Sequence, residues 1–435
     1  MLVQTQKQTV SSGKFVQIRV RVPFGGGLRM SLLLLGYLTV PQFIFVYFNQ
    51  SSLAAGLIGV SAVLALYYVP YGKFYVTKWQ VVALIVILIS IAVSNLRLKL
   101  TLLDRQILSF FAWAFVLVST NNFFGALVGS GNRVLKNAFK YSFYFLLSLG
   151  VLGKLYSLKI GSYGNAAKPI FPFSEESHFS LTFGPVALVY MMQLSKARQY
   201  LVPLTMLGLA LWYPNVTMFL SSLFVLGVIL NIRVIVVVAL IFAASFLTPA
   251  HVLNEINLSY FRDRIQTPVE GANLSNVVYR QGWDQARIGN IESYGLGLGF
   301  QAFGTEADGI YVKLIDETYN IELNRKDGSN LGSKIFAEFG ILGAAGLLGG
   351  AAAGIGAFLC LRRIRRVSAE PAELVYLGVT YIFVLELFFR GLGYFNPMFF
   401  LYLFCLSRTS ILRSIWRVFI HQLPRSRFQA SESTR

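Results

Sequence analysis

Apolar runs long enough to cross a lipid bilayer recur from one end of this chain to the other. A transmembrane helix needs about 20 predominantly apolar residues to cross roughly 30 Å of hydrocarbon, and runs near this length follow one another with few charges inside them. Charged residues make up only 13% of the chain, against roughly 25% in soluble domains. The sequence therefore predicts an all-α integral membrane protein.

The hydropathy pattern predicts about twelve membrane-spanning helices. Their approximate positions are 30–48, 51–70, 79–96, 106–129, 138–154, 179–195, 199–213, 216–232, 234–250, 333–360, 372–390 and 397–412. The seventh and eighth are short, at about 15 residues or roughly 22 Å each, and they meet at residues 212–215. They are either a pair of half-length helices that meet in a water-accessible depression or one long broken helix.

The spans divide the chain into five segments. These are a basic N-terminal segment (1–29), spans one to nine (30–250), a long polar stretch (251–332), spans ten to twelve (333–412) and a basic tail (413–435). The polar stretch contains most of the acidic residues of the chain. We expect it to form one large, partly helical periplasmic loop, with both termini in the cytoplasm.

The distribution of charge supports this orientation. With both termini inside, the cytoplasmic segments contain 23 of the 38 basic residues and three of the 19 acidic ones. Such an excess of Lys and Arg is typical of cytoplasmic loops, and it predicts contacts with membrane lipids. The net charge of +19 is then explained by topology, so it gives no support to nucleic-acid binding.

The polar stretch contains a helical pattern and a glycine-rich turn. In residues 277–287, Arg280, Asp284 and Arg287 have the spacing of one helix face. They form either a solvated helix with an internal ion pair or a guanidinium pair that binds phosphate, for which the planar fork of arginine is suited. Alternating glycines in residues 293–300 lack the spacing of a dinucleotide-binding fingerprint and predict a tight turn that approaches a neighbour closely.

Three further elements carry polar groups near the predicted ends of spans. The loop before the sixth span carries Glu175, Glu176 and His178. The two adjacent carboxylates are a helix cap, or alternatively Glu176 or His178 orients an acceptor hydroxyl. Ser329 and Asn330 predict a polar turn at the mouth of the tenth span. In the eleventh span, Glu386 and Arg390 are four residues apart. Either they form a structural ion pair, or Arg390 binds phosphate.

Small residues recur through positions 340–356 of the tenth span, which should let it pack closely against a neighbouring helix. The three histidines, at positions 178, 251 and 421, are scattered, and no metal-ligand spacing is visible. We expect no metal and no cofactor.

In this order, the motifs resemble the large-loop region of the O-antigen polymerase and O-antigen ligase superfamily. The matching elements are Arg280 with Trp283 and Ala286, the pattern Gly-x-Gly-x-Gly-Phe at 295–300, and Ser329-Asn330 followed nine residues later by Gly340-x-x-Gly343. Residues 173–177 and 390–394 are similar to elements of the Wzy-type polymerases. The matches cover about residues 170 to 397, and the first half resembles the family only in its span pattern.

The resemblance implies a GT-C-like, metal-independent membrane glycosyltransferase of the bacterial inner membrane. Its substrates would be oligosaccharide repeat units on undecaprenyl diphosphate, and a chain-length regulator and a flippase would be candidate partners. A ligase that transfers polymer to lipid A-core, and a lipid-linked oligosaccharide flippase or other transporter, remain as alternatives. Ligases carry a histidine where this chain has Ser329, and the family arginine between the short spans is replaced by Asn215-Val216-Thr217. Both departures favour the polymerase over the ligase.

The resemblance and the residue chemistry together give a set of expected site residues. The catalytic residues expected are Arg280, Arg390 and Glu176. The substrate-binding residues expected are Arg287, His178, Trp283, Asn330, Ser329 and Tyr394.

Overall fold

The computed structural model of the protein describes residues 26–68, 76–98, 101–156, 161–165, 169–212, 214–231, 233–234, 274–321, 323–365 and 369–408. Within these ranges the secondary structure is helical and contains no β-strand. Nearly all of the N-terminal segment 1–29, nearly all of the ninth predicted span, the polar stretch up to residue 273 and the whole tail 413–435 lie outside the described residues.

Fifteen α-helices are present in the described ranges. In chain order they are α1 (Gly27–Tyr47), α2 (Ala54–Tyr68), α3 (Lys78–Leu98), α4 (Leu103–Gly129), α5 (Asn132–Leu155), α6 (Glu176–Met191), α7 (Lys196–Gln199), α8 (Leu201–Trp212), α9 (Val216–Ile229), α10 (Leu274–Glu292), α11 (Ile310–Tyr319), α12 (Leu331–Ile364), α13 (Pro371–Ile382), α14 (Val384–Phe388) and α15 (Pro397–Leu406). One 3-10 helix, Gly161–Asn165, precedes α6.

In the part of the chain that the structure describes, five helical segments are long and apolar enough to cross a membrane. They are Gly27–Tyr47, Lys78–Leu96, Leu103–Gly129, Leu331–Ile364 and the combined segment Pro371–Phe388. Three shorter apolar helices are Ala54–Tyr67, Val216–Ile229 and Pro397–Leu406. The all-helical prediction is confirmed for these residues, and the five segments agree with a multi-pass membrane protein. The count of about twelve spans stays a prediction.

Helix α6 lies at the centre of the bundle, in contact with α5, α9 and α13. Every residue of α6 is buried except His178. The rings of Phe179 and Phe183 stack with centroids 5.2 Å apart, and Phe183 stacks on Phe143 of α5 at 5.5 Å. A helix that is apolar on all sides is expected to be buried on all sides. Its N-terminus, which follows Glu175, is therefore held in a packed environment.

The two short spans form separate helices, α8 and α9, of 12 and 14 residues. The two helices pack against each other, and the side chain of Asn215 caps α9 by accepting the N–H of Met218 at 2.8 Å. Only residues 213–215 join them, so the pair is a helical hairpin. The segment therefore forms two packed helices and not one long broken helix, and the water-accessible depression between them stays a prediction.

Helix α12 is interrupted at Gly340, which has φ +56° and ψ −131°, a conformation that glycine adopts more readily than other residues. The N–H of Ile341 donates to the carbonyl of Gly295 at 2.9 Å, so the glycine-rich turn fills the gap. A Cβ atom on Gly297 would lie 2.5 Å from the carbonyl oxygen of Glu338. The predicted close-approach turn is confirmed, and its neighbour is the interrupted helix.

Candidate functional site

The guanidinium of Arg390 lies against the carboxylate of Glu175, 215 residues earlier in the chain. Nη2 of Arg390 donates to Oε2 of Glu175 at 2.9 Å. Both side chains are accessible, with 27% of Arg390 and 47% of Glu175 exposed. The alternative in which Arg390 pairs with Glu386 is not observed, since Oε1 of Glu386 is buried without a hydrogen-bond partner.

Glu175 is the centre of a small polar cluster at the start of α6. The same Oε2 accepts the hydroxyl of Ser177 at 2.7 Å and lies 4.0 Å from Nε2 of His178. Oγ of Ser174 lies 2.9 Å from Nδ1 of His178. Burial opposes ionisation of Glu175, but His178, Arg390 and Ser177 outweigh it and lower the pKa of the carboxyl to about 2. Glu175 is therefore ionised at neutral pH.

Glu176, the expected catalytic carboxylate, forms a different contact. Its Oε1 accepts a hydrogen bond from Nζ of Lys154, near the end of α5, at 2.7 Å. The pair is enclosed, with 3% of the Lys154 side chain and 7% of the Glu176 side chain exposed. Glu175, rather than Glu176, thus lies beside Arg390. In the sequence, Lys154 lies at the end of the fifth predicted span, where a charge is costly unless it is paired. Its position therefore predicts an acidic partner.

Ser329 and Asn330 lie beside Arg390 because the N–H of Gly391 donates to the carbonyl of Ser329 at 3.1 Å. Asn330 caps α12, accepting the N–H of Ser333 at 2.8 Å, so the predicted polar turn is present at the start of α12.

Residues 329–330 and residues 390–391 form a junction, and three buried atoms in it have no hydrogen-bond partner. They are Nε of Arg390, Oγ of Ser329 and Nδ2 of Asn330. Each of them can donate a hydrogen atom, and a buried donor without an acceptor costs roughly 1–3 kcal/mol. These three donors are the groups of the junction that lack acceptor oxygens.

Helix α10 lies against this junction from another side. Gly282 approaches the carbonyl oxygen of Gly328 so closely that a Cβ atom would overlap it. Three residues earlier, the hydroxyl of Tyr279 donates to the carbonyl of Phe388 at 3.0 Å, and residues three apart share a helix face. The predicted helix in the polar stretch is confirmed, and the face that meets the junction carries Tyr279 and Gly282.

The two arginines of α10 point elsewhere. Arg280 is about 200° around the helix axis from Gly282, and its Nη1 donates to the hydroxyl of Tyr311 on α11 at 3.3 Å. The side chain of Arg287 is 63% exposed and pairs with Asp284 at 3.1 Å. Arg287 therefore matches the solvated ion pair that was one of the two alternatives, and the hydrogen bond of Arg280 is to α11 rather than to Arg390.

Two expected substrate-binding aromatics lie in packed surroundings. Trp283 is partly buried against the main hydrophobic core. Tyr394 is 3% exposed, with its ring centroid 5.5 Å from that of Phe300 and 5.5 Å from Nζ of Lys334. Tyr394 thus contacts both the glycine-rich turn and the first part of α12.

No group of three or more His, Cys, Asp or Glu side chains that could hold a metal ion is found in the ranges that the structure describes. Comparisons with protein-family models, with curated proteins and with solved structures found no match to this chain.

Proposed function

We propose that this protein is a polysaccharide polymerase of the bacterial inner membrane. It would join oligosaccharide repeat units carried on undecaprenyl diphosphate at the periplasmic face, to make an O-antigen, a capsule or an exopolysaccharide. The proposal needs no cofactor, and it includes the twelve-span topology with cytoplasmic termini. The order of the motifs between residues 170 and 397 supports it.

The observation that carries the proposal is the set of unpartnered donors at one junction. Nε of Arg390, the hydroxyl of Ser329 and the side-chain amide nitrogen of Asn330 belong to two segments that a backbone hydrogen bond from Gly391 to Ser329 holds side by side. Arginine donors are suited to phosphate oxygens, and a helix N-terminus also favours an anion. A lipid-linked diphosphate supplies the acceptor oxygens that these groups lack.

The reaction would need few chemical groups from the protein. The bond between the anomeric carbon of the donor sugar and the diphosphate breaks, and the diphosphate leaves with the electron pair. A hydroxyl of the acceptor unit bonds to that carbon and releases its proton to a base. Arg390 would stabilise the charge that develops on the leaving diphosphate, an effect for which one donor contributes roughly 3–4 kcal/mol.

The acceptor hydroxyl would be oriented by His178, the one residue of α6 that is not fully buried. Its Nδ1 is engaged by Ser174 at 2.9 Å, which leaves Nε2 directed toward Glu175 at 4.0 Å. Glu176 is occupied by Lys154 and is less suited to accept a proton. In this proposal Glu175 positions Arg390, and Arg280 and Arg287 have smaller roles.

A transporter of lipid-linked oligosaccharides is the second candidate, and Glu386 favours it. This carboxylate is 2% exposed inside a segment that is able to cross the membrane, and its Oε1 has no partner. Unpaired carboxylates within membrane segments often belong to ion or substrate pathways. If Glu386→Gln abolished movement of lipid-linked units across vesicles and left polymerisation intact, transport would be favoured.

The test of the polymerase proposal is Arg390→Ala in purified protein supplied with lipid-linked repeat units. We expect the rate of polymer formation to fall by about 10²–10³, because one preorganised donor to the leaving group is lost. Arg390→Lys should recover part of the rate, since it keeps the charge without the planar fork. Lys313→Ala is the matched control, because that basic side chain is exposed on α11 and is not one of the expected site residues.

Elution profile and melting temperature establish that each variant is folded. A folded Arg390→Ala protein that polymerises at the native rate would contradict the assignment. The ligase alternative is separated in a deletion strain. Core capped with a single repeat unit supports a polymerase, whereas unmodified core together with free lipid-linked polymer supports a ligase.

A further inference from the structure

The tip of the glycine-rich turn carries large apolar side chains that point away from the protein. Tyr294 is 94% exposed, Leu296 65% and Ile291 63%. Next to them, Ile341 and Leu342 at the start of the second part of α12 are 71% and 61% exposed. Exposed apolar surface that is contiguous in this way marks an interaction site.

The position of this surface relative to a membrane follows from α12. The helix after Gly340 runs to Ile364, and Arg362 and Arg363 are the basic residues in its last turn. Twenty residues at 1.5 Å each span about 30 Å, the thickness of the hydrocarbon core. Counting back about 20 residues from Arg362 reaches Leu342, so the opposite membrane boundary lies close to Leu342.

The glycine-rich turn is attached to α12 at this boundary. The N–H of Ile341 donates to the carbonyl of Gly295 at 2.9 Å. Tyr294 and Leu296, the neighbours of Gly295, are therefore held at the level where α12 enters the hydrocarbon. Their exposed surface continues the lipid-facing surface of Ile341 and Leu342.

We propose that the tip formed by Ile291, Tyr294 and Leu296 is inserted into the interfacial layer of the bilayer, on the side opposite Arg362. The occupant of this surface is lipid, at the boundary between headgroups and acyl chains. Tyrosine is enriched at that depth because its ring is apolar and its hydroxyl is polar. The proposal does not depend on the enzymatic activity proposed above.

The insertion would set the height of α10 above the membrane. Ile291 belongs to the last turn of α10, and the turn that follows is bonded to α12. The N–H of Leu298 donates to the carbonyl of Ala337 at 2.8 Å, and that of Gly299 donates to Glu338 at 2.9 Å. The C-terminal end of α10 is thus fixed both to a membrane span and to the lipid beside it.

The experiment measures the depth of a nitroxide label at position 294 in proteoliposomes of phosphatidylethanolamine and phosphatidylglycerol. Cys360 and Cys405 are the free cysteines in the described ranges, and the chain has two cysteines in all. Both are replaced by alanine before Tyr294→Cys is introduced. The label's collisions with oxygen, which concentrates in lipid, are compared with those of a water-soluble nickel complex.

We expect the ratio of oxygen to nickel collisions to be several-fold larger at position 294 than at position 319. Tyr319 is 42% exposed on α11, and Tyr319→Cys is the matched aqueous control. A label at 294 that collides with nickel as readily as one at 319 overturns the proposal, and so does a label that collides with neither agent. Leu296→Cys is the second variant, should the label at 294 disturb folding.

Discussion

Glu175 and Glu176 are neighbours in the chain, yet the structure gives them different surroundings. Glu175 precedes α6, is about half exposed and bonds to Arg390 from a distant segment. Glu176 begins α6, is 7% exposed and bonds to Lys154 of the adjacent helix α5. The first pair is partly exposed to solvent, and the second is enclosed between two helices. The identity of a carboxylate thus says little about its role until its burial and partner are known.

The contrast also separates contributions to stability from contributions to function. Exposed ion pairs contribute roughly 0–1 kcal/mol to folding because water screens them. Removal of one partner from a buried pair leaves an uncompensated charge and costs several times more. We therefore expect changes at Glu176 and Lys154 to lower stability strongly, and changes at Glu175 and Arg390 to alter activity with only a small effect on stability.

The largest expected effect is that of Lys154→Met. This change removes the ammonium group that bonds to Oε1 of the buried Glu176, and the cost should be about 3–5 kcal/mol. The measurement is the melting temperature of the detergent-purified protein. Lys313→Met, at an exposed position of α11, is the control and should melt as the native protein does. Native-like melting of Lys154→Met would remove the distinction between the two carboxylates.

A smaller effect is expected for Gly282→Ala, which tests how the junction at Arg390 is held. The added methyl group would overlap the carbonyl of Gly328, and overpacking of this kind costs about 1–3 kcal/mol. We expect a lower melting temperature and a slower reaction, since residues 328–330 must shift relative to Arg390. Gly346→Ala is the control, because a Cβ atom there meets open space. Equal behaviour of the two variants would show that α10 does not support the junction.

The smallest effect is expected for Glu175→Gln, and it depends on pH. The pKa of Glu175 falls from its ordinary value near 4.5 to about 2 in the folded protein. A lowered pKa contributes stability that is present above about pH 4.5 and is lost as the pH falls toward 2. The difference in melting temperature between the native protein and Glu175→Gln should thus be constant from neutral pH to about pH 5 and then shrink. A difference that stays constant down to about pH 3 would contradict the low pKa of Glu175.

Local patterns were sufficient for several parts of the site. Helical spacing predicted the helix that carries Arg280, and alternating glycines predicted the close-approach turn. Asn330 before an apolar run predicted the start of α12. These features depend on residues only a few positions apart, since caps, turns and helix faces are local properties of the backbone.

Other features could not be obtained from such patterns. Helical spacing placed Arg280 and Arg287 on one face of α10, but it could not show which face contacts the other helices. In the structure, Tyr279 contacts Phe388 and Gly282 contacts Gly328. The choice between Glu175 and Glu176 as the partner of Arg390 depends on a contact across 215 residues. The interruption of α12 at Gly340 is paired with a distant segment, because the N–H of Ile341 there donates to the carbonyl of Gly295.

The sequence by itself determined that this protein is helical and built from apolar segments able to cross a membrane, because backbone polar groups in hydrocarbon must be satisfied within the segment. It also determined where polar elements interrupt those segments. Only the tertiary structure decided which polar groups meet, because the rotation of each helix about its axis is set by packing against distant neighbours. That packing placed Arg390 beside Glu175, enclosed Glu176 with Lys154 and directed Arg280 toward Tyr311.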